Sequence, residues 1–162
     1  MSVALGRRII RNVDRPPMEL LNSFHGISSS QAGDAMNRLY SMDGSIRAML
    51  PASRLLGTAF TVNAPAGDNL LFRMALDLAS EGDVIVVNGE GCVSRSICGE
   101  MLFRYAASKG IAGLVICGSI RDSESLENIG LPVFASGITA KGALRNGPGE
   151  INVPVACGGV VV

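Results

Sequence analysis

The pattern that most constrains the fold is a pair of apolar, strand-like segments with a helix-like segment between them. Asp83 to Val87 and Ala112 to Cys117 are nearly continuous apolar runs, which is typical of strands buried on both faces of a parallel sheet. Between these runs, Ile97, Met101 and Tyr105 recur at helical spacing. The order strand, helix, strand predicts a βαβ unit with parallel strands.

The same alternation extends towards both ends of the chain. Leu55 to Asn63 predicts an earlier strand, and the apolar spacing from Leu70 to Leu78 predicts a helix after it. Leu131 to Ala135 predicts a later strand, and Val153 to Val162 predicts one or two closing strands. We therefore predict a single layered α/β domain with a mostly parallel central sheet, spanning residues 1–162.

The connecting segments give more local predictions. Residues 1–26 are expected to form an N-terminal extension with a short helix from Met18 to Phe24, and a second helix is expected from Ser30 to Tyr40. Asn88 to Gly91 predicts a glycine-rich loop, and Gly118-Ser119 predicts a turn at the end of the strand before it.

The composition narrows the classes of protein to which the chain can belong. Apolar residues make up 48% of it and charged residues 17%, which excludes a disordered protein. The formal net charge is zero and no basic face is evident, so we expect no nucleic-acid partner. No apolar run approaches the roughly 18–20 residues that cross a bilayer, and the arginine-rich start lacks the apolar segment of a secretion signal. We therefore expect a cytoplasmic protein without a membrane partner.

Several common site chemistries have little support in the residue counts. The four cysteines, Cys92, Cys98, Cys117 and Cys157, form no C-x-x-C pair, which indicates reduced, partly buried thiols. His25 is the single histidine, so a zinc site or a mechanism that pairs a nucleophile with histidine is disfavoured. The glycine-rich loop also lacks the Gly-Lys-Ser/Thr ending of a phosphate-binding P-loop.

Three charged residues are spaced so that such a fold can bring them together. Glu100 is followed, after twenty intervening residues, by Arg121-Asp122. A helix of about nine residues descends roughly 14 Å, and a strand of about six residues climbs back roughly 20 Å. We therefore expect Glu100 and Arg121-Asp122 at the carboxyl edge of the sheet, where ligands bind in folds of this type.

The residue types at this edge favour metal-assisted chemistry on an anion. Asp122 offers hard oxygen ligation to Mg²⁺ or Mn²⁺, and Glu100 can act through a water on the metal. Arg121 presents a fork suited to a carboxylate or enolate oxygen. Free N–H groups at the helix start, from Gly99 to Met101, favour an anion there. Together these groups would stabilise a developing enolate.

Simpler interpretations of the same residues stay open. Glu100 and Arg104 are four apart on a helix and can form a surface ion pair. Arg121-Asp122 can be a solvated loop in which Asp122 caps the turn that follows. Gly67-Asp68-Asn69, taken alone, predicts a helix cap, with Asp68 as the N-cap, rather than a site.

An ordered series of motifs resembles the RraA-like family, and it covers roughly Ile27 to Val162. The motifs are Pro65-Ala-Gly-Asp-Asn-Leu, Gly82-Asp-Val-Ile-Val-Val-Asn-Gly, Gly99-Glu100 with Arg121-Asp122, Leu131-Pro-Val-Phe-Ala and Gly147-Pro-Gly-Glu-Ile-Asn-Val-Pro-Val. The family includes pyruvate aldolases acting on 4-hydroxy-4-methyl-2-oxoglutarate, which also decarboxylate oxaloacetate, and the non-enzymatic regulator of ribonuclease E. Some members carry the older label of dimethylmenaquinone methyltransferase, but no methyl-donor site is visible in this sequence.

The resemblance implies a swivelling β/β/α fold and a homotrimer or hexamer whose sites lie between subunits. It implies that Asp122 binds the metal, that Arg121 binds the pyruvyl part of the substrate, and that Glu100 holds water on the metal and helps to move protons. It also implies substrate contacts at the helix start and from Asn69, which would enter from the neighbouring subunit's face. The helix-start contacts are expected at Gly99 and at the backbone amides of Met101 and Leu102.

Two departures from the family pattern bear on the site. The basic position before the Gly-Pro-Gly-Glu turn is often lysine in the aldolases and is Arg145 here. Relatives continue past Gly-Gly-Val-Val-Val into a further turn, a strand and an acidic residue that can reach the next subunit's site, whereas this sequence stops at Val162. The resemblance therefore implies that the C-terminal part of the family domain is absent, so that either the sequence is truncated or the metal shell is incomplete.

Three functions are consistent with these residues. The leading hypothesis is a Mg²⁺- or Mn²⁺-dependent lyase that cleaves a 4-hydroxy-2-oxo acid to pyruvate and a second oxo acid, with oxaloacetate decarboxylation by the same enolate chemistry. The alternative is a non-catalytic regulator that binds ribonuclease E or another protein partner. The regulator branch tends to lack the aspartate after the arginine, so Asp122 favours the enzyme branch. A third hypothesis is an enzyme of this fold with a different oxo-acid substrate.

Overall fold

The structure is a computed structural model that describes residues 6–51 and 53–162. Its strands, in chain order, are β1 (Arg7–Ile9), β2 (Arg47–Ala48), β3 (Thr58–Asn63), β4 (Asp83–Cys98), β5 (Gly113–Ile120), β6 (Val133–Ile138), β7 (Gly149–Ile151), β8 (Ala156–Cys157) and β9 (Val160–Val161). Its helices are α1 (Met18–Ser23), α2 (Ser29–Ala35), α3 (Leu70–Leu78), α4 (Glu100–Ser108) and α5 (Leu126–Ile129). None of these helices has the length and apolarity needed to cross a membrane.

Seven of the strands form one sheet in the order β1-β7-β3-β4-β5-β6-β2. The four central strands, β3 to β6, are parallel to one another. β7 is antiparallel to β3, and β2 is antiparallel to β6. The prediction of a layered α/β domain with a mostly parallel central sheet is therefore confirmed.

Alternate residues of the central strands face two different layers. Val87 of β4 packs in the same apolar cluster as Phe72 of α3 and Phe103 of α4. Val86, which points the opposite way, packs with Val155 near the β8–β9 hairpin. Because helices cover one face and the hairpin segment covers the other, the central strands are apolar at successive positions.

The segment from Asn88 to Gly91 belongs to a strand and is not the predicted loop. β4 runs on to Cys98 and stays paired with β5 through three register shifts. Glu90 and Gly91 have positive φ values of 55° and 64°, so the extra residues are accommodated as bulges. Ile97, which was predicted to lie in the next helix, is near the end of this strand. The glycines therefore bend a strand that they were expected to end.

Two further boundaries differ from the sequence prediction. β5 runs to Ile120, so the predicted turn at Gly118-Ser119 is wrong; both residues are paired within the sheet. The second helix ends at Ala35 and does not reach Tyr40. Asn37 and Arg38 adopt positive φ values of 56° and 63°, a conformation that a right-handed helix cannot include.

Candidate active site

The extended pairing of β4 and β5 brings the predicted charged residues to one point. β4 ends at Cys98, whose carbonyl oxygen accepts a hydrogen bond of 2.9 Å from the Arg121 N–H. α4 begins at Glu100, and the Glu100 backbone N–H donates to Asp122 Oδ2 at 3.1 Å. The expected convergence of these residues at one edge of the sheet is thus present in the structure, while their chemical roles stay predictions.

Gly99 permits the close approach of Arg121 and Asp122 to the start of α4. A Cβ atom at residue 99 would overlap Asp122 Oδ2 and would lie 2.6 Å from Arg121 Cγ. Asp122 itself has a left-handed conformation, with φ 54° and ψ 38°, which costs about 1–2 kcal/mol for a residue other than glycine. Such strain persists where surrounding contacts hold it, often at functional sites. Here the carboxylate is held against a helix N-terminus, where the helix dipole favours negative charge.

Asp122 and Arg121 retain unused bonding capacity. Arg121 Nε lies 3.4 Å from Asp122 Oδ2, and the two side chains are 47% and 40% exposed. Asp122 Oδ1 makes no hydrogen bond or ion pair with another described residue. A carboxylate oxygen of this kind is the ligand that Mg²⁺ takes from proteins, alongside several waters. Within residues 6–51 and 53–162, however, no three His, Cys, Asp or Glu side chains group closely enough to hold a metal ion.

The Glu100 carboxylate forms an ion pair with Arg104 at the helix surface, which was the simpler interpretation of their four-residue spacing. Arg104, one turn along α4, places Nε and Nη2 each 2.8 Å from Glu100 Oε1. Glu100 Oε2 has no partner among the described residues. Glu100 therefore contributes its backbone N–H to Asp122 and keeps one free carboxylate oxygen.

A cleft of about 870 Å³ opens beside Arg121, within the usual size range of ligand sites. Its walls are α3, the end of β4, the start of α4 and the segment 142–145. All of the residues predicted to contact substrate line this cleft: Asn69, Gly99, Met101, Leu102 and Arg121.

Asn69 lies in the cleft of its own chain, whereas the resemblance implied that it enters from the neighbouring subunit's face. The residue is only 5% exposed. Its Nδ2 donates to the Ile97 carbonyl oxygen at 2.8 Å, and this contact establishes which end of the amide is the oxygen. Oδ1 has no hydrogen-bond partner among the residues that the structure describes. Because an unpaired buried acceptor is costly, Asn69 would gain from a ligand that donates a hydrogen bond.

The two backbone amides that were expected to meet a carboxylate differ in availability. The Leu102 N–H donates to the Gly99 carbonyl oxygen at 3.0 Å, so it is already engaged. The Met101 N–H lies in the first turn of α4, where no intrahelical acceptor exists, and it makes no hydrogen bond with a described group. Met101 is therefore the better candidate donor for an anion.

Four polar residues of the cleft were not predicted from the sequence: Arg73, Asp77, Ser96 and Tyr105. Tyr105 Oη donates to Asp77 Oδ1 at 2.6 Å, and this hydrogen bond raises the pKa of Tyr105 above its ordinary value. Asn69, Arg73 and Asp77 recur every four residues, which places them on one face of α3. That spacing is the signal from which Arg73 could have been identified once Asn69 was chosen.

The cleft is positively charged although the chain as a whole has no net charge. Its charged lining consists of three arginines and one aspartate: Arg73, Arg121, Arg145 and Asp77. Among the residues that the structure describes, neither Arg73 nor Arg145 takes part in an ion pair. An excess of positive charge in a cleft attracts anionic ligands.

Fold and cleft together define a layered α/β protein with an anion-attracting cleft at the carboxyl edge of a mostly parallel sheet. More particularly, the chain belongs to the RraA-like family (Aldolase/RraA), whose family model matches residues 29–162. The family expected from the ordered motifs is thereby confirmed.

Similar proteins carry two kinds of names. A Halalkalibacterium halodurans protein named "Putative 4-hydroxy-4-methyl-2-oxoglutarate aldolase" is 34% identical over 145 residues, which cover 90% of this chain and 69% of that protein. A 4-hydroxy-4-methyl-2-oxoglutarate aldolase of Thermus thermophilus is 37% identical over 95 residues, which cover 59% of this chain and 58% of that protein. The crystal structure of Streptomyces coelicolor RraAS2, an unusual member of the RNase ES inhibitor RraA protein family, matches with a TM-score of 0.78 at 30% identity, covering 91% of this chain and 78% of that one.

Proposed function

We propose that this chain is a divalent-metal-dependent aldolase, a lyase that cleaves 4-hydroxy-4-methyl-2-oxoglutarate-type substrates to pyruvate and a second 2-oxo acid. Oxaloacetate decarboxylation is proposed as a side activity, because loss of carbon dioxide from oxaloacetate also leaves the enolate of pyruvate. The observation that carries the proposal is the Arg121-Asp122 pair: Arg121 lines the positively charged cleft, and Asp122, the next residue, is held against the start of α4. The aldolase names of the sequence relatives support the same activity.

In this proposal, three groups bind and orient the substrate. The Arg121 guanidinium pairs with the oxygen atoms of the pyruvyl end, for which its fork geometry is suited. The Met101 N–H adds a donor from the first turn of α4, where the helix dipole favours an anion. Asn69 Oδ1, which is buried and unpaired, accepts a hydrogen bond from the C4 hydroxyl group.

Cleavage breaks the bond between C3 and C4 of the substrate. The C4 hydroxyl loses its proton and becomes the carbonyl of the second oxo acid. The electron pair of the broken bond stays on the pyruvyl fragment as an enolate, which takes a proton at C3 to give pyruvate. Arg121 stabilises the negative charge of that fragment, and Glu100 Oε2 orients water for the proton transfers.

Asp122 and, through water, Glu100 are the residues that would hold Mg²⁺ or Mn²⁺. Asp122 Oδ1 and Glu100 Oε2 have no described protein partner, and hard cations of this size take carboxylate oxygen and retain several waters. When bound, the ion supplies positive charge to the substrate oxygens.

We also propose that the chain self-associates as a homotrimer or a hexamer. Contiguous exposed apolar surface commonly marks an interface. Large apolar side chains are exposed on the N-terminal helices, on the segment that follows them and beside the cleft, among them Met18 (65%), Leu20 (53%), Leu39 (67%), Tyr40 (66%) and Met101 (84%).

A pyruvate-release assay coupled to lactate dehydrogenase tests the proposed activity. With Mg²⁺ present, we expect turnover of 4-hydroxy-4-methyl-2-oxoglutarate, and we expect EDTA to abolish it and added Mg²⁺ or Mn²⁺ to restore it. Asp122→Ala should lower kcat/KM by about 100-fold or more, equal to about 2.7 kcal/mol of transition-state stabilisation. Asp34→Ala is the matched control, because Asp34 is an exposed aspartate whose ion pair is with Arg38, outside the cleft. Activity that survives both chelation and Asp122→Ala would contradict the proposal.

The alternative function, a non-catalytic regulator that binds a ribonuclease or another protein, is favoured by the likeness to the Streptomyces coelicolor inhibitor-family structure. This alternative predicts no turnover of any 2-oxo acid, with or without metal. It also predicts a complex with purified ribonuclease E that analytical ultracentrifugation detects. Turnover without a complex favours the aldolase, and a complex without turnover favours the regulator.

A further inference from the structure

Arg73 lies in the cleft with its charge uncompensated. It lies on α3 one turn after Asn69, and its backbone N–H donates to the Asn69 carbonyl oxygen at 3.0 Å. The side chain lines the cleft, and no ion pair or side-chain hydrogen bond to it is formed by another described residue. A guanidinium in a ligand cleft with no protein anion beside it is free to bind a ligand carboxylate.

The natural helical partner of Arg73 is engaged elsewhere. Asp77 is four residues further along α3, a spacing at which an ion pair can form. Its Oδ1 instead accepts the short hydrogen bond from Tyr105 of α4, and no contact of 4.0 Å or less joins it to Arg73. Asp77 is the only acidic side chain among the described residues that line the cleft. Its hydrogen bond with Tyr105 therefore leaves Arg73 without an acidic partner.

The positive groups of the cleft come from separate walls. Arg121 follows the end of β5, next to the start of α4, whereas Arg73 comes from α3. Asn69, which also lines the cleft, lies one turn before Arg73 and carries the buried, unpaired Oδ1. This arrangement suits a ligand with an anionic group at one end for Arg121, a hydrogen-bond donor for Asn69, and a second anionic group for Arg73.

We propose that Arg73 binds the second carboxylate of the substrate and thereby makes the enzyme select dicarboxylic over monocarboxylic 4-hydroxy-2-oxo acids. This inference rests on the proposed aldolase function and adds to it the residue that determines substrate class. Arg73 takes no part in breaking the C3–C4 bond. Its contribution is a charge-assisted, two-pronged contact that a substrate without the far carboxylate cannot make.

Two substrates that differ at the far end test the proposal by activity. 4-Hydroxy-2-oxoglutarate carries a carboxylate there, and 4-hydroxy-2-oxopentanoate carries a methyl group. We expect the wild-type kcat/KM ratio to favour the first by about 10-fold or more. Arg73→Ala should remove most of that preference by lowering kcat/KM for the dicarboxylate alone, and Arg73→Lys should restore part of it. Arg54→Ala, at an exposed arginine outside the cleft, should leave the ratio unchanged.

A binding measurement separates failure of this inference from failure of the proposed function. In isothermal titration calorimetry with Mg²⁺ present, we expect 2-oxoglutarate to bind the wild type about 10-fold more tightly than 2-oxopentanoate, and Arg73→Ala to bind both equally. An absence of turnover together with this binding pattern would refute the aldolase function but retain the carboxylate contact. A preference that survives Arg73→Ala, or an equal loss for both ligands, would overturn the role of Arg73 and would direct attention to Arg145.

Discussion

Gly99, which has no side chain, determines how closely the charged residues of the candidate site approach α4. Because Gly99 has no Cβ, Asp122 and Arg121 can lie directly against the start of α4. The Glu100 N–H then reaches Asp122 Oδ2, which helps to hold Asp122 in its left-handed conformation. The same residue therefore permits both the strained backbone and the position of the carboxylate.

Gly99→Ala should displace Asp122 and Arg121 together. We expect the free energy of unfolding to fall by about 1–3 kcal/mol, the usual result of overpacking, and pyruvate release to fall with it. Chemical denaturation and the coupled assay measure the two effects. Gly44→Ala is the matched control, because no atom lies within 4 Å of a Cβ added there, and we expect a change within about 0.5 kcal/mol. Unchanged stability and activity in Gly99→Ala would contradict the importance of this close approach.

At the scale of secondary-structure elements, Asp68 joins the start of α3 to the segment that walls the cleft. Asp68 Oδ1 accepts a hydrogen bond from the Leu70 N–H at 2.9 Å. Its Oδ2 accepts from the N–H groups of Asn146 (2.6 Å) and Gly147 (3.0 Å). The predicted capping role is therefore only part of what Asp68 does. The N-cap position itself is Asn69, and the buried carboxylate also anchors the chain next to Arg145.

Asp68→Ala should destabilise the protein and make the segment around residues 144–147 more mobile. The substitution leaves three N–H groups without their charged acceptor, and we expect a loss of about 2–4 kcal/mol in unfolding free energy. Asp68→Asn, which keeps one acceptor oxygen, should lose less. Hydrogen exchange should quicken at residues 144–147 more than in β4. An equal increase of the exchange rate in both regions would indicate that Asp68 does not hold residues 144–147 in place. The control is Asp34→Ala, since an exposed helical ion pair contributes about 0.5 kcal/mol or less.

At the scale of the whole molecule, the exposed apolar side chains point to self-association. α1 buries no residue and α2 buries only Gly33. Leu39 and Tyr40, just after α2, are each about two-thirds exposed, at 67% and 66%. A chain with these exposed side chains would be expected to bury them against another copy, because exposed apolar surface in water is unfavourable.

Light scattering coupled to size-exclusion chromatography should therefore give a mass of three or six times 16.8 kDa. Leu39→Asp should shift the mass towards that of one chain, because a charged group would be buried at the interface without a partner. Asn128→Asp adds the same charge at an exposed position on α5 and should leave the mass unchanged. A monomer in the wild type would argue against sites shared between subunits.

The local patterns of the sequence were sufficient for the central βαβ units, the family and the convergence of Glu100 with Arg121-Asp122. Hydrophobic periodicity reports which face of an element is buried, and helix and strand lengths determine where a chain returns to the sheet. Periodicity and element length both depend on residues that are close together in the sequence. They could therefore be derived without the tertiary structure.

Only the tertiary structure decided the features that depend on residues far apart in the chain. The 16-residue β4 is one such feature, since its second half stays in the sheet only because β5 pairs with Cys92, Ser96 and Cys98. The pairing of Asp77 with Tyr105, which leaves Arg73 uncompensated, is another. The sequence by itself determined which residues can carry charge to the sheet edge. Contacts between α3, α4 and the extended strands decided which of those charges remain free to bind a ligand. A charged side chain is available to a ligand only where no neighbouring protein group pairs with it, and those neighbours come from distant parts of the sequence.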